Sequence, residues 1–204
     1  MKAAFAVIMS LAICTMSGCA CTQRTKKADD LEHAVEQKDK QLSELEKAKL
    51  ELETALRKEI GDYKAKLELS ERGLVITFMS EVFFDSGKDM IRDDGKESLR
   101  KVGEVLNHDV PDSNLAIEGY TDNQSIKYSG WKSNWELSSA RALAVVHYFI
   151  DECEVAPARL SANSYGEFRP VAPNDTQENM QKNRRVEIVI VPAKISKATH
   201  EAAH

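Results

Sequence analysis

The stretch Leu115-Ala116-Ile117-Glu118-Gly119-Tyr120-Thr121-Asp122 decides the fold and indicates a site. Its apolar beginning predicts a β-strand, and Asp122 stands where that strand ends. The stretch Asn134-Trp135-Glu136-Leu137-Ser138-Ser139-Ala140-Arg141-Ala142 then places Arg141 two turns inside a predicted helix. An acid and a base on neighbouring rigid elements suit a zwitterion, a ligand with an ammonium and a carboxylate on one carbon. The pair therefore predicts a binding site that has no reaction to catalyse.

The segments that flank this strand predict one α/β domain. Apolar, β-branched runs predict strands over 74–78, 115–120, 160–165 and 186–191, and a short extended piece over 82–87 that ends in a turn. Predicted helices begin at Asp93 or Asp94, at Ser133 and at Thr176. Glu136, three residues after Ser133, completes a capping-box pattern. The order of strands and helices predicts a small sheet with helices on one face.

Residues 29–70 predict a coiled-coil helix, because they contain no Pro, one Gly and a dense mixture of Glu, Lys, Leu and Ala. The apolar residues follow two heptad phases: Ala28, Val35, Leu42, Leu56 and Tyr63 on one, and Leu31, Leu45 and Leu52 on the other. A helix with one narrow apolar stripe predicts a homo-oligomer, and a helix of this length reaches roughly 60 Å. The alternative is a lone charged helix held by pairs such as Glu36 with Lys40.

The first 28 residues predict export and lipid anchoring. Lys2 and an apolar run over 3–16 are typical of a signal peptide, and the run is too short for a lasting membrane span. Met16-Ser17-Gly18-Cys19 is similar to a bacterial lipobox, in which the Cys becomes acylated and N-terminal. Residues 1–18 are thus predicted to be a lipoprotein signal peptide, Cys19 the site of lipidation with chains such as palmitate, and 19–28 a tether. The alternatives are an ordinary signal peptide cut nearby and an uncleaved anchor.

The charge balance and the cysteine content argue against two classes of protein. The 33 acidic side chains outnumber the 28 basic ones, so the chain lacks the basic excess of a general nucleic-acid binder. After processing, Cys21 and Cys153 would be the remaining thiols, and they stand at opposite ends of the mature chain. The sequence therefore predicts no disulfide framework, and Cys153 is interpreted as a small packing residue.

The sequence predicts no enzyme, cofactor or metal site. His200-Glu201-Ala202-Ala203-His204 matches the zinc-peptidase pattern His-Glu-x-x-His, but it lies in a Lys- and Ala-rich segment without a core to bury it. Residues 193–204 are predicted to be a disordered tail. Neither a Gly-rich phosphate loop nor a Gly-x-Ser-x-Gly elbow occurs in the sequence. A zinc peptidase that acts through the tail is the enzymatic alternative.

Several ordered motifs between Gly73 and Pro192 resemble the OmpA-like peptidoglycan-binding domain family of outer-membrane porins, peptidoglycan-associated lipoproteins and the MotB flagellar stator protein. The motifs are Phe84-Asp85-Ser86-Gly87, Gly119-Tyr120-Thr121-Asp122, 134–142, Arg159-Leu160-Ser161, Tyr165-Gly166-Glu167, Pro170 and Asn183-Arg184-Arg185-Val186-Glu187-Ile188. Within the family, the amino-acid sequence from Ser133 to Val191 is most similar to that of MotB. The resemblance implies an α+β fold over 73–192, in βαβαβ(α)β order, with a small mixed sheet.

The resemblance also implies the ligand and the site residues. The ligand would be the diaminopimelate side chain of the peptidoglycan stem peptide, with Asp122 on its ammonium and Arg141 on its carboxylate. Asn134 matches a contact residue of the family. The other implied site residues are Thr121, Asp85, Leu137, Arg184 and Arg185, with one of the two arginines on the ligand and the other in the fold. The alternative for Asp122 and Arg141 is a structural salt bridge to each other.

Two tryptophans lie close to these motifs in the sequence. Trp131 and Trp135 could stack on sugar rings, but packing at the loop and at the helix entry is the favoured interpretation.

The predicted function is that of an outer-membrane lipoprotein that faces the periplasm, binds peptidoglycan noncovalently and tethers the envelope to the wall. Ala20 stands where an Asp would favour the inner membrane, so outer-membrane sorting is what the lipoprotein resemblance implies. The alternative is a MotB-like flagellar stator or motor component anchored to peptidoglycan. That role needs a permanent membrane helix with an ionisable residue, and the run over 3–16 contains no Asp or Glu.

Overall fold

A computed structural model describes residues 32, 35–126 and 130–192. The predicted signal peptide, Cys19, the tether and the tail with its His-Glu-x-x-His sequence lie outside the described residues. The chain divides into two compact units, Met1–Ser43 and Glu44–His204. In the first unit residues 35–43 are helical. The second unit contains the sheet, the core and the site.

A five-stranded mixed sheet forms the centre of the second unit. Its strands are β1 (Ala65–Ser70), β2 (Gly73–Met79), β3 (Asn114–Tyr120), β4 (Leu160–Gly166) and β5 (Arg185–Val191). They lie in the order β1-β2-β5-β3-β4, and every neighbouring pair is antiparallel except β3 with β4. The parallel pair requires a long crossover connection, which a helix supplies. The α+β fold class with a small mixed sheet is therefore confirmed.

The helices of this unit are α1 (44–55), α2 (Arg57–Gly61), α3 (Ser80–Phe83), α4 (Asp93–His108), α5 (Asn134–Asp151) and α6 (Gln177–Asn183), with a 3₁₀ turn over Pro157–Arg159. Helix α5 packs on β3 and β4, and α4 packs beside α5. Alternate strand residues such as Ile76, Ile117 and Ile188 join the same core as Leu99 of α4 and Phe149 of α5. This alternation places the main helices on one face of the sheet.

The predicted capping box is present at the start of α5. The Ser133 hydroxyl accepts a 3.3 Å hydrogen bond from the backbone N–H of Glu136. The Glu136 carboxylate accepts a 2.8 Å bond from the backbone N–H of Lys132. In the usual capping box it would accept from the N–H of the N-cap residue, which is Ser133 here. These bonds satisfy free N–H groups at the helix start, so the cap fixes where α5 begins.

The coiled-coil prediction over 29–70 is wrong at its C-terminal end. The helical segments stop at Gly61, Tyr63 adopts a positive φ of 57°, and Ala65–Ser70 forms strand β1. The residues of β1 alternate between apolar and polar, a period of two that the heptad assignment concealed. The sheet therefore begins before Gly73, the predicted start of the domain.

Part of the predicted coiled-coil seam is buried in the core of the second unit. The seam residues Leu45, Leu52 and Leu56 belong to the same apolar cluster as the sheet residues, together with Ala48, which lay outside the predicted seam. A face buried within one unit is not available to a second chain, so these residues do not form the predicted oligomer seam. Self-association through the residues before Glu44 stays a prediction.

The prediction of an extended piece over 82–87 is also wrong. Ser80–Phe83 forms the short helix α3, and only an isolated antiparallel bridge joins Phe84 to Ile91. The predicted turn is present, since the Lys88 N–H donates to the Asp85 carbonyl at 3.1 Å.

A bilayer-spanning helix would be long and apolar, and none of the helices in the described ranges meets both conditions.

Candidate ligand-binding site

A cavity of about 830 Å³ lies where strand β3 ends and helix α5 begins. Its wall also includes α3, the turn that follows it and the residue before β5. The structure brings six of the predicted site residues together on this wall: Thr121, Asp122, Asn134, Leu137, Arg141 and Arg184. Residues that are far apart in sequence thus share one cavity, and what they bind is addressed below.

Asp122 is buried, and its carboxylate has two polar partners. Oδ2 accepts a 2.7 Å hydrogen bond from Nη1 of Arg184, and Oδ1 accepts a 3.1 Å bond from the backbone N–H of Gln124. Such partners are expected, because a buried charge without them is costly to remove from water. Among the described residues the ion pair of Asp122 is with Arg184, whereas the alternative interpretation had expected one with Arg141.

Arg141 is buried on α5 and is held by main-chain carbonyls. Its Nε donates to the Lys88 carbonyl at 2.9 Å and its Nη2 to the Asp85 carbonyl at 3.2 Å. The guanidinium lies 5.2 Å from the ring centroid of Phe84. No hydrogen bond joins its Nη1 to any other residue in the described part of the chain. Neutral partners on one side leave the positive charge available to an anion.

Burial is the largest influence on the protonation of Arg141. Burial and the nearby charge of Arg184 lower the pKa of Arg141 from its ordinary value to about 10, and the charge of Asp122 opposes this change. The guanidinium therefore remains charged at neutral pH. A desolvated charge with free donors binds a carboxylate strongly.

Arg184 links two acids across the cavity wall. It donates from Nη1 to Asp122 and from Nη2 to Glu81, both at 2.7 Å. Burial lowers the pKa of Arg184, but the hydrogen bonds with Glu81 and Asp122 outweigh it, so the pKa lies above its ordinary value. Arg184 thus holds the Asp122 carboxylate in position.

Asn134 and Thr121 connect the elements that meet at the cavity. Nδ2 of Asn134 lies within hydrogen-bonding distance of three oxygens: 3.3 Å from the Asp122 carbonyl, 3.1 Å from the Gln124 carbonyl and 2.5 Å from Oε2 of Glu167. The Thr121 N–H donates to the Gly166 carbonyl at 2.9 Å. The start of α5 and the ends of β3 and β4 are therefore held together by polar contacts.

Ser80 has an unpartnered hydroxyl on the cavity wall. Its Oγ is buried, and no hydrogen bond to it is found within the described ranges. Buried polar atoms in native proteins nearly always have a partner, so each exception needs an explanation. The oxygen has almost no accessible surface, so a ligand in the cavity would reach it only after a neighbouring side chain moves.

Two predicted site residues do not line the cavity. Asp85 contributes its main-chain carbonyl to Arg141, while its exposed carboxylate lies 3.3 Å from Nζ of Lys88 and 3.8 Å from Nη1 of Arg92. Arg185 is buried and belongs to a different cluster. Neighbours along a strand project to opposite faces, which is why Arg184 lines the cavity and Arg185 does not.

Arg185 is part of a charged network on the sheet face opposite the helices. It donates from Nε to Glu187 at 2.8 Å, and its guanidinium lies 3.6 Å from the ring centroid of Tyr120. Arg72 donates to Glu118 and Glu187, each at 2.7 Å. Glu118 and Glu187 are directly opposite on β3 and β5. Like charges in this position repel, so Arg72 stabilises the pair by bridging it.

Sequence reasoning missed several cavity residues, among them Ser80, Glu81 and Lys88. Glu81 and Ser80 carried no motif, and Lys88 contributes through a main-chain carbonyl that no sequence pattern reports. In the described ranges no three His, Cys, Asp or Glu side chains are grouped so that they could hold a metal ion. The cavity instead collects the cations Arg141, Arg184 and Lys88 against the anions Asp122 and Glu81. This arrangement suits a polar ligand that carries more than one charge.

The comparisons with known proteins identify the family. The model of the OmpA family matches residues 83–184, which include most of the cavity wall. The chain belongs to the OmpA family. The resemblance drawn from the motifs is therefore confirmed. The family that the motifs indicated is one of peptidoglycan-binding domains.

Several similar proteins have motility or anchoring names. Motility protein B of Bacillus subtilis is 39% identical over 151 residues, which are 73% of this chain and 57% of that protein. A MotB-like protein from Desulfovibrio vulgaris has a TM-score of 0.68 at 27% identity, over 75% of this chain and 94% of that chain. The cell wall anchor of the T6SS from Pseudomonas aeruginosa has a TM-score of 0.63 at 28% identity, over 69% of this chain and 96% of that chain. The chain spans about half the length of the curated relatives it matches.

Proposed function

We propose that this protein binds peptidoglycan noncovalently through the diaminopimelate of the stem peptide and tethers the cell envelope to the wall. One observation carries the proposal: Asp122 and Arg141, which the sequence marked as a clamp for a zwitterion, are both buried on the wall of one cavity. Family membership supports the class of ligand.

The contacts of each residue suggest its role in the complex. Nη1 of Arg141, which has no described partner, takes the ligand carboxylate, and Asp122 takes the ammonium. Arg184 and the Gln124 N–H orient the Asp122 carboxylate. The Ser80 hydroxyl supplies a further hydrogen bond. All of these contacts are charge-assisted or buried, which makes them strong.

The first prediction concerns the two clamp residues. Arg141→Gln and Asp122→Asn should each weaken binding at least tenfold, because removal of one partner from a buried charged contact costs about 2–5 kcal/mol. The measurement is co-sedimentation of the full chain with insoluble peptidoglycan that contains diaminopimelate. The full chain is needed, since α1 and β1 contribute to the core.

Two matched substitutions control for the loss of charge. Arg100→Gln removes an exposed guanidinium of α4 that pairs with Glu104, and Asp93→Asn removes an exposed carboxylate that pairs with Lys96. Neither residue lines the cavity, so both variants should bind as the wild type does. Undiminished co-sedimentation of both clamp variants would refute the site.

We further propose that the protein is a lipoprotein anchored through Cys19 in the outer membrane and facing the periplasm. The lipobox-like sequence before Cys19 and the Ala at position 20 support this proposal. Mass spectrometry of the mature N-terminus should find acyl chains on Cys19, and Cys19→Ser should abolish them. An unmodified Cys19 in the mature protein would exclude the lipid anchor.

A second candidate is a MotB-like motor component anchored to peptidoglycan. The observation in its favour is the 39% identity to motility protein B of Bacillus subtilis. Separation of inner from outer membranes distinguishes the candidates, because the first predicts the protein in the outer membrane and the second predicts it in the inner membrane with an intact N-terminus.

A further inference from the structure

An exposed pair of aromatic rings lies beside the cavity. Trp135 on α5 and Phe168 in the turn after β4 stack with their centroids 5.4 Å apart and their planes 24° from parallel. Trp135 is 47% exposed and Phe168 is 64% exposed. The stacking covers part of the Phe168 ring and leaves most of the residue exposed to solvent. Aromatic surface of this kind commonly marks a contact site.

The turn after β4 presents the pair rigidly. The Phe168 N–H donates to the Tyr165 carbonyl at 3.1 Å, which closes a tight turn. Gly166 lies under the indole, where a Cβ would be 3.6 Å from Cδ2 of Trp135. A side chain would fit at this distance, and what favours glycine here is the positive φ of 53° that the turn requires. The two rings are therefore fixed in place before any ligand arrives, which lowers the entropic cost of binding.

The two rings do not line the cavity themselves, but each follows a residue that belongs to its wall or is bonded to it. Trp135 follows Asn134, which lines the cavity, and Phe168 follows Glu167, whose carboxylate accepts the 2.5 Å hydrogen bond from Asn134. One hydrogen bond thus joins the residues that precede the two rings. A ligand seated between Asp122 and Arg141 that extends past Asn134 reaches this aromatic surface.

We infer that Trp135 and Phe168 form a subsite for a sugar ring of the glycan strand that carries the stem peptide. A pyranose ring has an apolar C–H face and a rim of hydroxyl and acetamido groups. A flat aromatic surface suits the face. Glu167 and Arg169, the chain neighbours of Phe168, carry polar groups that suit the rim, and in the empty site they contact Asn134 and the Tyr165 ring. The inference rests on the proposed function, because the stem peptide in the cavity is what brings the glycan to the rings.

The test compares two ligands for the full-length protein. One is intact peptidoglycan that contains diaminopimelate, and the other is the free stem peptide released from it by an amidase. Phe168→Ala and Trp135→Leu should weaken binding to intact peptidoglycan roughly fivefold, the size expected for loss of a stacked ring. Binding of the free stem peptide should be unchanged.

Val171→Ala is the matched control, because Val171 is an apolar residue of the same loop and is 61% exposed. It should leave both affinities unchanged. Phe168→Ala removes an exposed ring and should fold normally, which circular dichroism can verify. The test can therefore rest on this variant alone if Trp135→Leu is unstable.

Three results would overturn the inference. The first is wild-type affinity of both ring variants for intact peptidoglycan. The second is an equal loss for the free stem peptide, which would make the rings a support for the cavity. The third is a change in oligomeric state, which would assign the surface to a second copy of the chain. Arg141→Gln separates this question from the proposed function, because it should lose both ligands whichever role the rings have.

Discussion

Single residues decide how closely the elements of the site approach each other. Gly119 is the residue at which β3 contacts α5: a Cβ built there would lie 2.1 Å from the Ser138 carbonyl oxygen. The Ser138 hydroxyl accepts a 3.1 Å bond from the Gly166 N–H, so β4 is tied to the same point. The missing side chain at 119 therefore allows Asp122, three residues later, to lie beside the start of α5.

Gly119→Ala should destabilise the protein by about 1–3 kcal/mol, because the added methyl group meets main-chain atoms that cannot move alone. Urea unfolding followed by circular dichroism measures the change. Gly61→Ala is the control, since a Cβ at Gly61 meets nothing within 4 Å and Ala is the better helix former. A Gly119→Ala variant as stable as Gly61→Ala would show that α5 is free to shift.

Ser80→Ala tests whether the unpartnered hydroxyl belongs to a ligand site. Removal of a hydroxyl without a partner breaks no hydrogen bond, so the free energy of unfolding should not fall by more than about 0.5 kcal/mol. Affinity for peptidoglycan should fall by about threefold to tenfold, the size of one neutral hydrogen bond. Urea unfolding and co-sedimentation on the same variant separate the two effects. A loss of stability with unchanged binding would assign the hydroxyl to the fold.

At the scale of elements, α1 shows how one helix face can be misassigned. Leu45, Ala48, Leu52 and Leu56 recur every three or four residues and form one apolar stripe. The same stripe suits a partner helix of a second chain and a sheet of the same chain. In the structure the stripe lies in the core of its own unit, and the Lys47–Asp109 ion pair at 2.9 Å ties α1 to the C-terminal end of α4.

Leu52→Ala should destabilise the second unit by about 2–5 kcal/mol, because it leaves a cavity in the core. Leu50→Ala is the matched control on the exposed side of α1, and it should change stability by no more than about 0.5 kcal/mol. Thermal unfolding at several protein concentrations is the measurement. If the cost of Leu52→Ala depended on concentration, the residue would lie between chains instead.

At the scale of the whole molecule, one polar network crosses the open face of the sheet. It runs from Arg72 in the β1–β2 turn through Glu187 and Glu118 to Tyr120, which stacks on Tyr165 at 5.1 Å. The Tyr120 hydroxyl donates to Glu118 at 2.6 Å. Because Tyr120 precedes Thr121 and Asp122, this network also anchors the strand end that carries the cavity residues.

The stability of the protein should fall in acid. Burial raises the pKa of Glu187, but hydrogen bonds from Arg72 and Arg185 outweigh it, so the pKa lies below the ordinary 4.5. The pKa values of Glu59 and Glu81 also lie below the ordinary value, although burial raises them. A carboxyl whose folded pKa is depressed contributes stability that is present above its ordinary pKa and lost as the pH falls through the folded pKa.

Urea unfolding at several pH values between 7 and about 3 measures this dependence. The free energy of unfolding should decline below about pH 4.5, and Glu187→Gln should reduce the slope of that decline. If the free energy of unfolding of Glu187→Gln declined with the same slope, Glu187 would not contribute to the loss of stability in acid.

The sequence alone allowed the four longer strands and the longer helices to be predicted, and it selected two residues, Asp122 and Arg141, that the structure places on one cavity wall. Strands 115–120 and 186–191 have unbroken apolar or alternating runs, and Ser133 with Glu136 marks a helix start. These signals are local, so they need no knowledge of the fold. Residues 65–70 and 82–87 were misassigned because a heptad phase and a short apolar run each fit more than one element.

The sequence by itself determined that the chain has an α+β domain of the OmpA type, and it singled out Asp122 and Arg141 as the clamp proposed above. Only the tertiary structure decided which groups surround them: Arg184 on Asp122, main-chain carbonyls on Arg141, and an unpartnered hydroxyl at Ser80. It also separated Arg184 from Arg185, and it placed the α1 stripe in the core. The physical reason is that pairing and burial depend on contacts between distant segments, whereas periodicity and capping depend on neighbours in the chain.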